Sequence, residues 1–240
     1  MATLFVIGTP IGNMEDITLR ALKALSSVDT ILCEDTRTTK KLLARHGISR
    51  PTLSYHAHSK VSRTDDIMAM LRAGKDLALV SDAGTPGISD PGAELVARVR
   101  GAMAADISDG KVKIESVPGP SALAAALSIA GVPCASFVFL GFLPHKKGRE
   151  TLFREIAASE RTMIFYESPH RILKTLESLK EHTAHEGSKP KLVTICRELT
   201  KIFEEVVSGS PADVLDRFEK KLEAVRGEFV VIVSDARSKL

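Results

Sequence analysis

Short apolar runs recur along the chain, and most of them stop at a loop rich in glycine, proline or acidic residues before a helical pattern takes over. Thr3-Leu-Phe-Val-Ile-Gly8 opens the series, an apolar run that reads as a strand buried on both faces. It leads through Gly8-Thr-Pro-Ile-Gly-Asn13 to Ile17–Leu25, whose apolar positions recur at helical spacing behind Asp16 as the expected N-cap. Asp29-Thr-Ile-Leu-Cys33 repeats the strand and runs into Glu34-Asp-Thr-Arg37. A helix carrying Lys40, Lys41 and Arg45 follows and ends near Gly47. Thr52–Tyr55 and Asp76–Val80 predict further strands, and Val112–Val117 one that closes the first sheet. Helices are expected over Arg63–Ala73 and Gly92–Ala104, and a surface turn over the polar stretch from Ala105 to Lys111. This alternation predicts an α/β domain with a mainly parallel sheet.

Val117-Pro-Gly-Pro-Ser121 interrupts the pattern with a stiff linker, which places a domain boundary near residue 118 and leaves domains over 1–118 and 119–240. Ser121 is the expected cap of a helix over Ala122–Ala130, whose exposed amides suit an anionic group such as a carboxylate. Beyond it, Phe137–Gly141, Met163–Tyr166, Leu192–Cys196, Phe203–Ser208 and Phe229–Val233 read as strands. Helices are expected near Gly148–Ala158, His170–Glu181 and Ala212–Ala224. Strands outnumber the helices between them, so the second sheet is expected to be mixed. The fold class is therefore two α/β domains, one mainly parallel and one mixed, with a ligand cleft between them.

One stretch stands apart. Leu79-Val-Ser-Asp-Ala-Gly-Thr-Pro-Gly-Ile-Ser-Asp-Pro-Gly92 is too long and too stiff for an ordinary strand-to-helix turn. It leaves the carboxyl end of a predicted parallel strand, where open α/β sheets hold ligands. The Gly8–Asn13 loop is neither a Walker A motif nor the G-x-G-x-x-G fingerprint, so its promise lies in facing the longer loop.

Charge and composition narrow the chemistry. A net charge of +3 over 240 residues is too small by itself to argue for nucleic acid. The basic side chains cluster, however, at Arg37/Lys40/Lys41/Arg45 and at His145/Lys146/Lys147/Arg149/Arg154, beside the unusual loops, where they would suit a polyanion. With two tyrosines and no tryptophan, sequence-tolerant single-strand stacking is disfavoured. Cys33, Cys134 and Cys196 lie far apart, which points to a reducing compartment and away from a zinc ribbon or disulfide framework. His56 and His58 lack a third ligand, so no metal is expected. Met1-Ala-Thr leads straight into the first strand without a leader pattern, and a cytoplasmic protein is expected. Unaided, these features reach a two-domain enzyme with a cleft ligand and an anionic substrate.

The longer motifs go further. G-T-P-I-G-N-M-E-D-I-T-L-R-A-L, E-D-T-R, L-V-S-D-A-G-T-P-G-I-S-D-P-G, V-P-G-P-S-A, G-F-L-P-H-K-K-G, F-Y-E-S-P-H-R, R-E-L-T-K and R-G-E-F-V occur in that order. Together they resemble the small-subunit ribosomal RNA ribose methyltransferases of the tetrapyrrole-methylase (class III) family, over Leu4 to Val233. The resemblance implies a homodimer that binds S-adenosylmethionine between its domains. It implies methylation of the ribose 2'-hydroxyl of a cytidine in the decoding region of 16S rRNA.

Carried over motif by motif, the resemblance places the cofactor against Pro10, Asp82, Gly84, Ile88, Ser121, Ala122, Tyr166, Leu199 and Gly227. RNA contacts are expected from Arg37, Lys40, Lys41, Lys146, Lys147 and Arg149. Glu167 is the first candidate for a base accepting the hydroxyl proton, with Glu34 and Asp35 behind it; the competing reading is that Glu167 only caps the helix beginning near His170 or pairs with Arg171. Gly87 stands where relatives carry a larger apolar residue, and some relatives continue beyond the R-G-E-F-V strand. Other acceptors, a tetrapyrrole carbon or a protein histidine, and a non-catalytic RNA-binding or ribosome assembly factor are the competing readings. The lysine-rich loops argue against a macrocycle, and cofactor affinity separates an enzyme from an assembly factor.

Overall fold

A computed structural model describes residues 1–56, 61–184 and 189–236, so that His58 lies outside the described residues. The chain divides into two compact units, Met1–Ser121 and Ala122–Leu240.

In the first unit, β1 (Ala2–Ile7), β2 (Thr30–Cys33), β3 (Thr52–Ser54), β4 (Leu77–Leu79) and β5 (Val112–Val117) form one parallel sheet in the order β3-β2-β4-β1-β5. Side chains alternate between its faces. Ile7, Ile31, Cys33 and Ala78 pack under α1 (Leu19–Ser27) and α2 (Thr36–Arg45). Leu4, Leu32, Leu77 and Leu79 pack on the opposite side, under α3 (Val61–Arg72) and α4 (Gly92–Ala102). Burial on both faces is why these strands read as continuous apolar runs.

Two local expectations are corrected. Asp16 does not cap α1; it ends a 3₁₀ turn over Met14–Asp16, and the Thr18 hydroxyl accepts the Ala21 N–H at 3.1 Å instead. The polar stretch after α4 is not all turn. Met103 breaks the helix with φ −121° and ψ 25°, and a short α5 (Ala104–Ser108) follows. Met103 is buried and Ile107 packs on the core, so tertiary contact holds α5 against its polar composition.

In the second unit α6 (Ala122–Ala130) precedes a mixed sheet of β6 (Phe137–Phe142), β7 (Thr162–Glu167), β8 (Lys191–Arg197), β9 (Glu205–Gly209) and β10 (Phe229–Asp235). The order is β6-β7-β10-β8-β9, with β6 parallel to β7 and the other pairs antiparallel. Phe165, Val193, Phe229 and Val231 face α7 (Arg149–Ala158), α8 (Ile172–Thr183) and α9 (Pro211–Lys220) in one core. β9 starts later than expected: Ile202 and Phe203 are exposed in the connection before it. The expected helix to Ala224 ends at Lys220, and a 3₁₀ turn covers Leu222–Ala224.

Candidate functional site

The crossover from β1 runs to β2 on one side and that from β4 to β5 on the other, so the sheet changes winding direction between neighbours β1 and β4. A crevice opens at the carboxyl ends of such a pair. Here the loops after those strands are stitched together: Thr9 N–H donates to the Gly84 carbonyl at 2.9 Å, and Gly84 N–H returns a bond to Thr9 at 3.1 Å. The Ser81 hydroxyl donates to the carbonyls of Ala83 and Gly84, both at 3.2 Å. Thr85 Oγ1 donates to the Pro120 carbonyl at 2.9 Å and so ties in the loop after β5. Gly84 has φ +81°, and a side chain there would point at Ile11 Cγ2, 3.4 Å from its Cβ, and the Pro120 carbonyl. Pro10, Gly84 and Ser121 are thus carried by three loops that meet, and Ile88 follows in the same β4–α4 connection.

Close backbone approach sets this junction. A Cβ on Gly119 would lie 2.6 Å from the Gly8 carbonyl oxygen, well inside contact distance. Gly119→Ala is expected to cost the first unit about 1–3 kcal/mol, as overpacking does. Gly101 in α4 meets nothing within 4 Å, and Gly101→Ala should be neutral or mildly stabilising. Thermal unfolding of the pair checks this, and equal melting temperatures would refute the close approach.

At the end of β2 the carboxylates divide by role. Asp35 caps α2, accepting the Arg37 N–H at 2.8 Å, and pairs with the Arg37 guanidinium at 2.7 Å. The Arg37 side-chain bond comes first among the effects that bring its pKa down to about 2, which weighs against a role as base. Asp82 Oδ1 accepts the Asp35 N–H at 3.0 Å, fastening the β2 end to the β4 loop. Asp90 Oδ1 accepts the N–H groups of Gly87 and Gly92, at 2.8 and 2.7 Å, and so shapes the loop before α4. Gly87 itself has φ +91°, a conformation that a larger apolar residue resists.

Glu34 is shifted the other way. Burial pushes its pKa up, and the negative charges of Asp82 and Asp90 add to the shift. A carboxyl whose pKa is raised by folding contributes fully to stability below its unfolded value, and that contribution is lost as pH climbs through the folded value. Glu34→Gln is therefore expected to raise the melting temperature at pH 7. The gain should shrink as pH falls through the carboxylate range, in scans from pH 7 to 4.

In the second unit Glu167 is buried, and both its oxygens are occupied. Oε1 pairs with the Arg171 guanidinium at 2.7 Å and accepts the Ser168 N–H at 2.8 Å. Oε2 accepts the Thr175 hydroxyl at 2.7 Å and lies 3.7 Å from the Arg149 guanidinium. This corrects its candidacy as the proton acceptor: the carboxylate has no side open to a substrate hydroxyl. Arg149 is corrected with it, because that side chain is only 13% exposed, donates to the Pro144 carbonyl at 3.2 Å and lies 4.9 Å above the Phe153 ring. Arg37, Lys40, Lys41, Lys146 and Lys147 are exposed.

Tyr166 points to the other side of β7, edge-on to Phe139 and Phe142 at 5.0 and 5.5 Å between ring centres. Burial raises its phenol pKa, against the pull of a hydrogen bond with the Leu123 backbone. Ala122 opens α6, which packs on β10 and β8; there burial pushes the Cys196 thiol up to about 11. Leu199 is buried in a connection where Glu198 and Thr200 hold φ of +51° and +67°, a rare strain for residues with side chains. Glu198 Oε1 accepts from Lys201 at 2.9 Å and from the Glu228 N–H at 3.1 Å, directly over Gly227, where any Cβ would collide with it. Gly227 therefore makes room for a carboxylate of its own chain. The R-E-L-T-K and R-G-E motifs are joined by this clamp, which their separation in sequence concealed. Among the described residues no group of three or more His, Cys, Asp or Glu is placed to hold a metal ion. No described helix is long and apolar enough to cross a membrane.

Residues 3–214 match the model of the family described as Tetrapyrrole (Corrin/Porphyrin) Methylases, and the chain belongs to that family. As a member it is a methyltransferase. Solved structures share the fold: the methyltransferase CobJ superposes with a TM-score of 0.64 at 20% identity, covering 100% of this chain and 97% of its own. A uroporphyrin-III-C-methyltransferase from Thermus thermophilus gives 0.63 at 19%, covering 97% and 94%. More similar in sequence are proteins named Ribosomal RNA small subunit methyltransferase I. The one from Thermotoga maritima is 42% identical over 98% of this chain and 99% of its own length. The one from Xylella fastidiosa is 45% identical over 98% and 82%.

Proposed function

We propose that this protein transfers a methyl group from S-adenosylmethionine to the ribose 2'-hydroxyl of a cytidine in small-subunit rRNA. The observation that carries the reading is the stitched pair of loops at the β1/β4 switch point, together with relatives of that name matching nearly the whole chain. The cofactor supplies a methyl on a positively charged sulfur. The chain's own residues supply the cradle: Gly84 presents backbone rather than a side chain beside Ile11 and the Pro120 carbonyl. Asp82 offers an exposed carboxylate that suits the hydroxyls of a nucleoside. Ile88 and Pro10 give it partly buried apolar surface. In the second unit, Ala122, Tyr166, Leu199 and Gly227 are the candidates. Gly227 is the weakest, since its missing side chain already serves Glu198.

With Glu167 and Asp35 engaged elsewhere, positioning of donor and acceptor is the main source of rate, a contribution of up to about 7–11 kcal/mol for well-aligned groups. Glu34, partly buried and with its pKa raised, is the remaining acid–base candidate. The exposed lysines serve as the approach surface for RNA phosphates. A homodimer in the cytoplasm completes the reading. Incubating the protein with labelled S-adenosylmethionine and small subunits lacking the modification tests it: label should enter one cytidine ribose. Labelling of a tetrapyrrole or a protein instead, or RNA binding by a protein with no affinity for S-adenosylmethionine, would overturn it.

A further inference from the structure

Around Glu167 the polar groups form a hub with an outlet. Arg171 spans two acceptors, Glu167 Oε1 at 2.7 Å and the Leu143 carbonyl at 2.9 Å. Arg149 likewise reaches the Thr175 hydroxyl at 2.7 Å and the Pro144 carbonyl at 3.2 Å, while Thr175 donates to Glu167. The carbonyls so held belong to the two residues immediately before His145-Lys146-Lys147. Leu143 is itself buried, and those three side chains are exposed. A flexible basic loop would lose entropy on gripping a phosphate backbone; one whose base is fixed by two guanidiniums loses less.

We propose that Glu167, acting through Arg171 and Arg149, is a positioning residue that sets the basic loop 145–147 for its RNA substrate. The inference rests on the proposal that this loop meets RNA. The carboxylate holds both guanidiniums in place and turned towards the loop, and takes no part in proton transfer. This gives F-Y-E-S-P-H-R and G-F-L-P-H-K-K-G one shared task, although about twenty residues separate their key positions.

Arg171→Lys is the informative variant, because it keeps a cation beside Glu167 but cannot reach the Leu143 carbonyl as well. With unmodified small subunits as substrate it should raise KM about tenfold and change kcat less than about threefold, the signature of lost uniform binding. S-adenosylmethionine affinity should not move. Glu167→Gln should show the same split. Lys146→Ala/Lys147→Ala should raise KM in the parent protein but add little in the Arg171→Lys background, because both changes would disable one loop. A large Lys effect that adds fully to Arg171→Lys overturns the positioning role alone. No Lys effect in the parent overturns the RNA contact and the positioning role together. A fall in kcat at constant KM in Glu167→Gln would return the carboxylate to the chemistry and also defeat the proposal.

Discussion

Gly84→Val is expected to weaken S-adenosylmethionine binding by about a hundredfold or more, a loss of about 2.7 kcal/mol. The residue holds φ +81°, where a side chain costs about 1–2 kcal/mol and a β-branched one more. Relief by flipping the peptide is blocked, since Gly84 gives and receives the two bonds to Thr9. The substitution therefore drives the β4 loop away from the β1 loop at the point where both are proposed to approach the cofactor. Titration calorimetry measures the effect. Gly84→Ala, strained but unbranched, should fall between the two. Full affinity in a folded Gly84→Val protein would remove this loop from the cofactor site.

Replacing Lys40, Lys41, Lys146 and Lys147 by alanine should flatten the salt dependence of RNA binding. Each lost phosphate contact lowers the slope of log K against log salt by about 0.7–0.9, so that four contacts account for about 3. Between 50 and 200 mM salt, a slope of about 3 corresponds to about a 60-fold change in affinity. All four side chains are exposed, so folding and cofactor affinity should persist. An unaltered affinity and slope would mean that these lysines only solvate their surfaces.

The double-sided burial of β1, β2 and β4 was legible because apolar runs ending at Gly8, Glu34 and Ser81 leave few alternatives. The loops proposed to hold the cofactor stood out for a similar reason: prolines and glycines are unusually dense there. What the linear sequence concealed was pairing across distance. For Glu167 the local pair with Arg171 was legible as the alternative to a base and is formed, but Arg149 lies in a different helix and closes off the other side of the carboxylate only after folding. The same folding hides Arg149, which reads as one of a run of surface cations until Phe153 and Pro144 cover it. Asp16 was the expected cap, but a 3₁₀ turn consumes it and moves the helix start to Thr18, a register that the apolar spacing alone did not reveal. Phe203 looked like a strand residue from its β propensity, but the left-handed residues Glu198 and Thr200 delay the start of β9.

The position of β4 between β2 and β1 has a consequence for biosynthesis. β1 leaves the ribosome first, yet neither of its neighbours, β4 and β5, exists until Leu77 and Val112 have been made. At translation speeds of about 5–20 residues per second, an unpaired apolar edge waits for about 4–15 seconds before β4 arrives to fill the gap. Only when β4 inserts do Thr9 and Gly84 meet, so the proposed cofactor site is among the last parts of the first unit to assemble. The nascent chain is consequently most exposed to aggregation between those two events, and slowing elongation across residues 56–76 should lower its soluble yield.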